Sequence, residues 1–327
     1  MKVIFTLCSV NYFAQAHTLG ESILKNCPDV TFVIGLVDFI HTKSIQEDMI
    51  PPFEIIEVSK IGIQNFKGMC DRYDITELNT AVKPYYFNHL FHKFPQATSV
   101  IYLDPDIIVF DSLTELYSQL ASHAIVVTPH ILSPYYDNKW QSEADLVKSG
   151  VYNLGFIGVS RSKEGLRFIR WWMDKLIFGA KNDLCRGLFT DQHWIDFVPI
   201  FFEQVCIDRD PGYNVAYWNL HERFCSFREN QWVINDTYPV HFFHFSGYNP
   251  FKPDIVSKYQ DRIQFEDRAD IRELFTYYGN KLIEHNQAYW QEFPCDYIQP
   301  SKPKRFLRVR QWFIRPFEWI IEKVENI

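Results

Sequence analysis

No stretch of the chain approaches the roughly 18 consecutive apolar residues that a membrane-spanning helix needs, and none of its seven cysteines stands in a Cys-x-x-Cys pair. The first absence excludes a spanning segment. The second leaves Cys8, Cys27, Cys70, Cys185, Cys206, Cys225 and Cys295 scattered and odd in number, so they read as reduced intracellular thiols rather than a disulfide frame or zinc site. A secretory leader is not expected either, because the apolar run at residues 3–7 is short and Ser9 and Asn11 interrupt it. Positive charge is also in deficit. The formal net charge of −7 argues against a nucleic-acid-binding body.

What the chain does have is apolar mass: 327 residues at 47% hydrophobic can bury a large core, so one big domain, with or without an appendage, is expected. An aromatic content of 17% serves such a core and equally suits a cleft that stacks on bases or sugar rings. Charge is uneven along the chain. From Lys302 onward seven Lys/Arg face three Glu, a local +4 that leaves −11 on residues 1–301.

Residues 3–7 form a short strand-forming run, and residues 14–24 follow with apolar side chains at helical spacing. Residues 31–37, ending at Asp38, read as a second continuous apolar strand, as expected of a parallel sheet covered on both faces. Residues 80–94 read as a helix, and residues 99–103 as a buried strand running into Asp104-Pro105-Asp106. Further strands are expected at 124–128, 154–159 and 240–245, with a helix over 163–178. This alternation predicts an α/β fold with a mostly parallel, doubly wound sheet flanked by helices, whose ligands bind beyond the carboxyl ends of the strands. The Pro/Lys-rich stretch 299–304 reads as a linker. The expected division is therefore a domain over 1–250, a helical appendage over 251–301 and a basic amphipathic tail over 302–327.

Asp104 and Asp106 are the sharpest chemical feature. They follow an apolar strand with Pro105 fixing the turn between them, and alternation along an extended chain would send both carboxylates to one side to share a hard divalent cation. Such an ion neutralises the charge that a diphosphate leaving group gains. Two aspartates capping whatever follows is the plainer alternative.

With that pair in its Ile-Tyr-Leu-Asp-Pro-Asp-Ile-Ile-Val-Phe setting, the chain resembles the GT-A glycosyltransferases, within them the family 8 group of glycogenin-like and bacterial galactosyltransferase-like enzymes. The resemblance covers residues 1 to about 250 by motif order. It implies a GT-A, Rossmann-like sheet with a C-terminal helical extension, and transfer of a sugar from a nucleoside-diphosphate donor, a UDP-sugar foremost, with retention of configuration. The acceptor it implies is a glycan or lipid-linked saccharide. Leu7, Ser9, Asn11 and Tyr12 resemble the segment lining base and ribose, with Tyr12 placed to stack unless it is a core tyrosine. Lys83 is similar to the basic residue that contacts the diphosphate or donor sugar, although a solvated helical lysine reads the same way. Asn153, in Asn153-Leu154-Gly155, resembles the asparagine that bonds a sugar hydroxyl, and Asp191-Gln192 the pair beneath the donor sugar. Each has a bland counterpart, a turn residue and a helix cap.

His244 and Gly247 resemble the segment that supplies the third metal ligand, and imidazole beside two carboxylates favours Mn²⁺ over Mg²⁺. His241 is expected to be structural. The pattern departs at Pro250, where the family carries a phosphate-gripping lysine; either Lys252 substitutes from a shifted loop or Lys83 does more of the work. In this reading Asp191 is the catalytic group, with Asn153 and Gln192 positioning the sugar. Trp218 would either stack on an acceptor or pack beneath the cleft, and His130 would line the acceptor side or simply occupy a loop.

A sugar-phosphate nucleotidyltransferase would carry a glycine-rich loop after the first strand, whereas the first glycine here is Gly20. A non-catalytic nucleotide or glycan binder is disfavoured by the intact Asp104, Asp106 and His244. The tail carries the stripe Phe306, Val309, Phe313, Phe317, Ile320 and Val324 amid five basic residues, a pattern that suits either docking on its own domain or an anionic membrane surface. The expected location is cytoplasmic, and peripheral on the inner face of a membrane if the tail takes the second course.

Overall fold

The computed structural model describes residues 1–298, and the basic tail expected over 302–327 lies outside the described residues. Seven of its strands form the central sheet. They are β1 (Lys2–Cys8), β2 (Val30–Leu36), β3 (Glu54–Glu57), β4 (Ser99–Leu103), β6 (Ile125–Val127), β7 (Phe156–Ser160) and the edge strand Val205–Ile207; β5 (Ile107–Val109) pairs elsewhere. Their order is Val205–Ile207, β6, β7, β4, β1, β2, β3, and only β7 runs antiparallel to its neighbours. All five residues of β4 are buried, as are Val3 to Cys8 of β1, which is why both read as unbroken apolar runs.

Both faces are covered by helices. Ile4 faces the core shared with helix Phe13–Asn26, while its neighbour Phe5 packs on Phe87 and Tyr102 of the other face. That second face carries helices Lys83–Lys93 and Lys163–Gly179, joined through Phe87 and Trp172. The single helix expected over 80–94 is divided: Ile75–Ala81, with an Asp74/Glu77 capping box, ends at Val82, and a new helix starts at Lys83. Pro84 explains the break, since it lacks an amide hydrogen yet fits the first turn of the following helix.

Residues up to Tyr297 belong to one compact unit, including the helices Arg272–Glu284 and Gln287–Trp290 within the stretch expected as an appendage. They lean on helix Phe13–Asn26, with Phe13 set edge-on to Trp290 at 5.1 Å. Among the described residues, no helix is long and apolar enough to cross a membrane.

Candidate active site

A cleft of about 720 Å³ opens beyond the carboxyl ends of β1 and β4. At its floor the chain turns between β4 and β5 through Asp104-Pro105-Asp106, with Ile107 N donating to Asp104 O at 3.2 Å. The carboxylates therefore converge through a turn and not through extended alternation. The backbone of the turn is held from two sides, because Asp104 N donates to Gly155 O and Asp106 O accepts from Phe245 N.

The third member arrives by long-range pairing. Strand Phe242–His244 runs antiparallel to β5 with His244 opposite Ile107, which sets the imidazole beside the turn. His244 Nε2 lies 3.0 Å from Asp106 Oδ1 and 3.7 Å from Asp104 Oδ2. One ligand atom from each of the three residues lies within 4.8 Å of the others. His244 Nδ1 is buried without a hydrogen-bond partner.

Electrostatics tie the cluster together. Burial pushes the Asp104 carboxyl up, Lys83 and His244 oppose that, and Asp106 adds to it. Burial alone would lower the His244 imidazole, yet hydrogen-bonded Asp106 and nearby Asp104 hold it above its ordinary value. Tyr102, buried and facing Asp104, is raised well above a normal phenol, so it stays protonated and donates to Asp104 Oδ1 at 2.5 Å.

Lys83 is fully buried, which removes the reading of it as a solvated lysine. Its ammonium pairs with Asp191 Oδ2 at 2.6 Å, donates to Leu154 O at 2.9 Å and lies 4.1 Å from the Tyr102 ring centre. Asp191 follows Thr190, whose φ of 46° is a region a β-branched residue rarely occupies. Gln192 uses both ends of its amide on backbone: its oxygen accepts from Leu154 N and its nitrogen donates to Ser149 O. Asn153 Oδ1 accepts from Gly155 N and from Asn214, while its amide nitrogen meets His130 Nε2 at 3.2 Å.

Gly155 has a specific reason to be glycine. A Cβ there would stand 2.3 Å from His244 Cε1 and 2.5 Å from Nδ1, so the imidazole occupies the space a side chain would need. On its other side the His244 ring meets Trp218 edge-on at 5.2 Å.

A model of the glycosyl transferase family 8 matches residues 3–253. The chain belongs to that family.

The family 8 chain is 22% identical over 291 residues to the uncharacterized protein YfnF of Bacillus subtilis (strain 168), covering 88% of this chain and 95% of that one. Among solved structures it is similar to the galactosyltransferase LgtC, at 16% identity, TM-score 0.49 and coverage of 86% and 95%. The apo bifunctional glycosyltransferase WbbM is similar at 12% identity and TM-score 0.50, covering 88% of this chain and 51% of that one. The fold is the GT-A fold, and the protein is a glycosyltransferase.

Of the residues singled out by sequence in this family 8 chain, the cleft lining includes Leu7, Ser9, Asn11, Tyr12, Lys83, Asp104, Asp106, Asn153, Asp191, Gln192 and His244. Tyr12 is 44% exposed, so it is not a core residue. Ser9 is buried and donates to Val37 O, while Asn11 Oδ1 has no protein partner. Gly247 and Lys252 are not part of this lining: Gly247, at φ 76°, turns the backbone against Ser257 and Tyr259, and Lys252 is exposed. Trp218 is only 3% exposed, packs between His130 and His244 and, like His130, is part of the cleft lining. His241 stacks on Tyr213 at 4.2 Å, a structural role.

Sequence reading missed two contributors to this family 8 site, Tyr102 and Trp140. Tyr102 was visible only as part of a strand, because its hydroxyl bond to Asp104 depends on strand geometry. Asn214, at φ 51°, bonds both Thr128 and Asn153. Trp140, half exposed on the cleft rim, had no sequence signal at all.

Proposed function

We propose that this glycosyltransferase moves a sugar from a nucleoside-diphosphate donor, a UDP-sugar foremost, to a hydroxyl of a glycan or lipid-linked saccharide, with a divalent metal and with retention. The observation that carries the reading is the convergence of Asp104, Asp106 and His244 within 4.8 Å at the cleft floor. Two carboxylates and one imidazole fit a six-coordinate, borderline-hard ion, which favours Mn²⁺ over Mg²⁺. When bound, such an ion neutralises the negative charge that gathers on the departing diphosphate.

The chain's own groups are assigned as follows. Tyr12 offers a half-exposed ring to the base, and Asn11 stands beside it on the cleft lining. Asp191 steadies positive charge on the sugar ring and is itself held by Lys83. Asn153 presents the segment at which the sugar sits, and Gln192 positions that segment by bonding Leu154 N.

Retention is supported by the state of the cleft's carboxylates, none of which stands ready as a base for an incoming hydroxyl. Asp104 and Asp106 face Tyr102 and His244, Asp191 faces Lys83, Asp74 and Glu77 cap one another's amides, and Asp145 accepts from Ser142.

Thermal shift and donor hydrolysis against UDP-, GDP- and CMP-sugars, each with and without Mn²⁺, test the reading. A rise in melting temperature and slow hydrolysis with one nucleotide class, only when metal is present, are expected. No stabilisation by any nucleotide, or stabilisation indifferent to metal, would remove it.

Gly155→Ala gives a second check on the metal cluster, since a methyl group at that position must push the His244 ring away from Asp106. Mn²⁺ affinity, followed by titration, is expected to fall by about tenfold or more while the fold is retained. Undiminished affinity would remove His244 from the ligand set.

A further inference from the structure

Away from the cleft, helix Phe13–Asn26 and the end of helix Arg272–Glu284 meet at three side chains for which sugar transfer has no use. His17 and Glu21 stand four residues apart on one helical face, with His17 Nε2 3.8 Å from Glu21 Oε1. His285, just past the second helix, lays its ring on His17 with centres 3.8 Å apart and planes inclined by 19°. Its Nε2 lies 3.0 Å from Glu21 Oε2. Among the described residues, the His17 ring makes no hydrogen bond, and its neighbours are Glu21, the Phe53 edge and the His285 face. One ligand atom from each of His17, Glu21 and His285 lies within 4.8 Å of the others.

We propose that His17, Glu21 and His285 form a second metal site, selective for zinc, that fastens the C-terminal helices to helix Phe13–Asn26. Two imidazoles and one carboxylate are a donor set of four-coordinate zinc, with the fourth position left for water; the lone pair of an imidazole lies in its ring plane, so the His17 and His285 rings must leave their stack for both to face one ion. Magnesium and calcium prefer oxygen donors throughout, so the imidazole pair discriminates against them. The His17 and Glu21 side chains are 21% and 40% exposed, so an ion reaches them from solvent.

Lys281 competes for the same carboxylate, its Nζ standing 3.3 Å from Glu21 Oε2. The ammonium also contacts Glu284 Oε2 at 3.0 Å, so it keeps a partner when a metal takes Glu21. The site reaches the cleft through its helix. Tyr12, on the cleft lining, is the residue that precedes helix Phe13–Asn26.

The test is a calorimetric titration of Zn²⁺ into the full chain carrying Asp104→Asn and Asp106→Asn, which silences the cleft cluster. One equivalent of zinc is expected to bind and to raise the melting temperature. His17→Gln or His285→Gln in that background should weaken binding about 100-fold. Lys281→Met should tighten it, a gain that a misfolded chain does not produce. Absence of zinc binding, binding unchanged by the histidine substitutions, or affinity indifferent to Lys281→Met would each overturn the site. None of these readouts depends on sugar transfer, so this site and the proposed function fail separately.

Discussion

Asp106→Asn is expected to lower the turnover number for sugar transfer by about 1000-fold, with donor and metal both saturating. The loss comes from charge. An amide occupies the space of the carboxylate 3.0 Å from His244 but contributes no negative charge to hold a divalent ion against the diphosphate. The fold should survive, because the structural bond at this residue is made by its backbone oxygen, which accepts from Phe245 N whatever the side chain. Steady-state rates with the donor found by the nucleotide panel, alongside circular dichroism and thermal melts, measure both halves. Turnover within about tenfold of the parent, at an unchanged melting temperature, would exclude Asp106 from the reaction.

Lys83→Met is expected to have the largest effect on stability. Lys83 and Asp191 are each only 2% exposed in their side chains and pair at 2.6 Å, so removing the ammonium leaves a carboxylate buried with no counter-charge. Breaking a buried pair from one side costs about 3–5 kcal/mol, far more than the pair contributes relative to apolar substitutes. The double variant Lys83→Met/Asp191→Asn should therefore recover most of the lost stability. Its catalytic activity should stay low, because Asp191 is then unable to steady the sugar. Chemical denaturation of the parent, both singles and the double gives the coupling directly. A double variant no more stable than Lys83→Met would show that the ammonium matters through Leu154 O and the Tyr102 ring instead.

These two residues were visible in the sequence to different depths. Asp106 could be picked out because its chemistry is announced locally, two aspartates after a five-residue strand that the sheet buries completely. Lys83 was noticed, but its burial and its partner were not, since Asp191 lies far along the chain and the pair forms only when two segments close over the cleft. For Lys252, which the resemblance suggested as a substitute for the lysine missing at position 250, the structure adds that the backbone turns at Gly247 and that the side chain is exposed, off the cleft lining.

By itself the sequence determined the layered α/β architecture, the positions of most strands and the identities of the three groups in the cleft cluster. Those features follow from burial patterns and residue chemistry, which are properties of short windows. Only the tertiary structure decided how the groups meet. Asp104 and Asp106 converge through a turn, His244 reaches them because Phe242–His244 pairs antiparallel with β5, and Gly155 leaves the space that the imidazole fills. The His17, Glu21 and His285 cluster was beyond sequence for the same reason. Register between strands and contact between helices are set by packing of the whole core, and no local window contains that information.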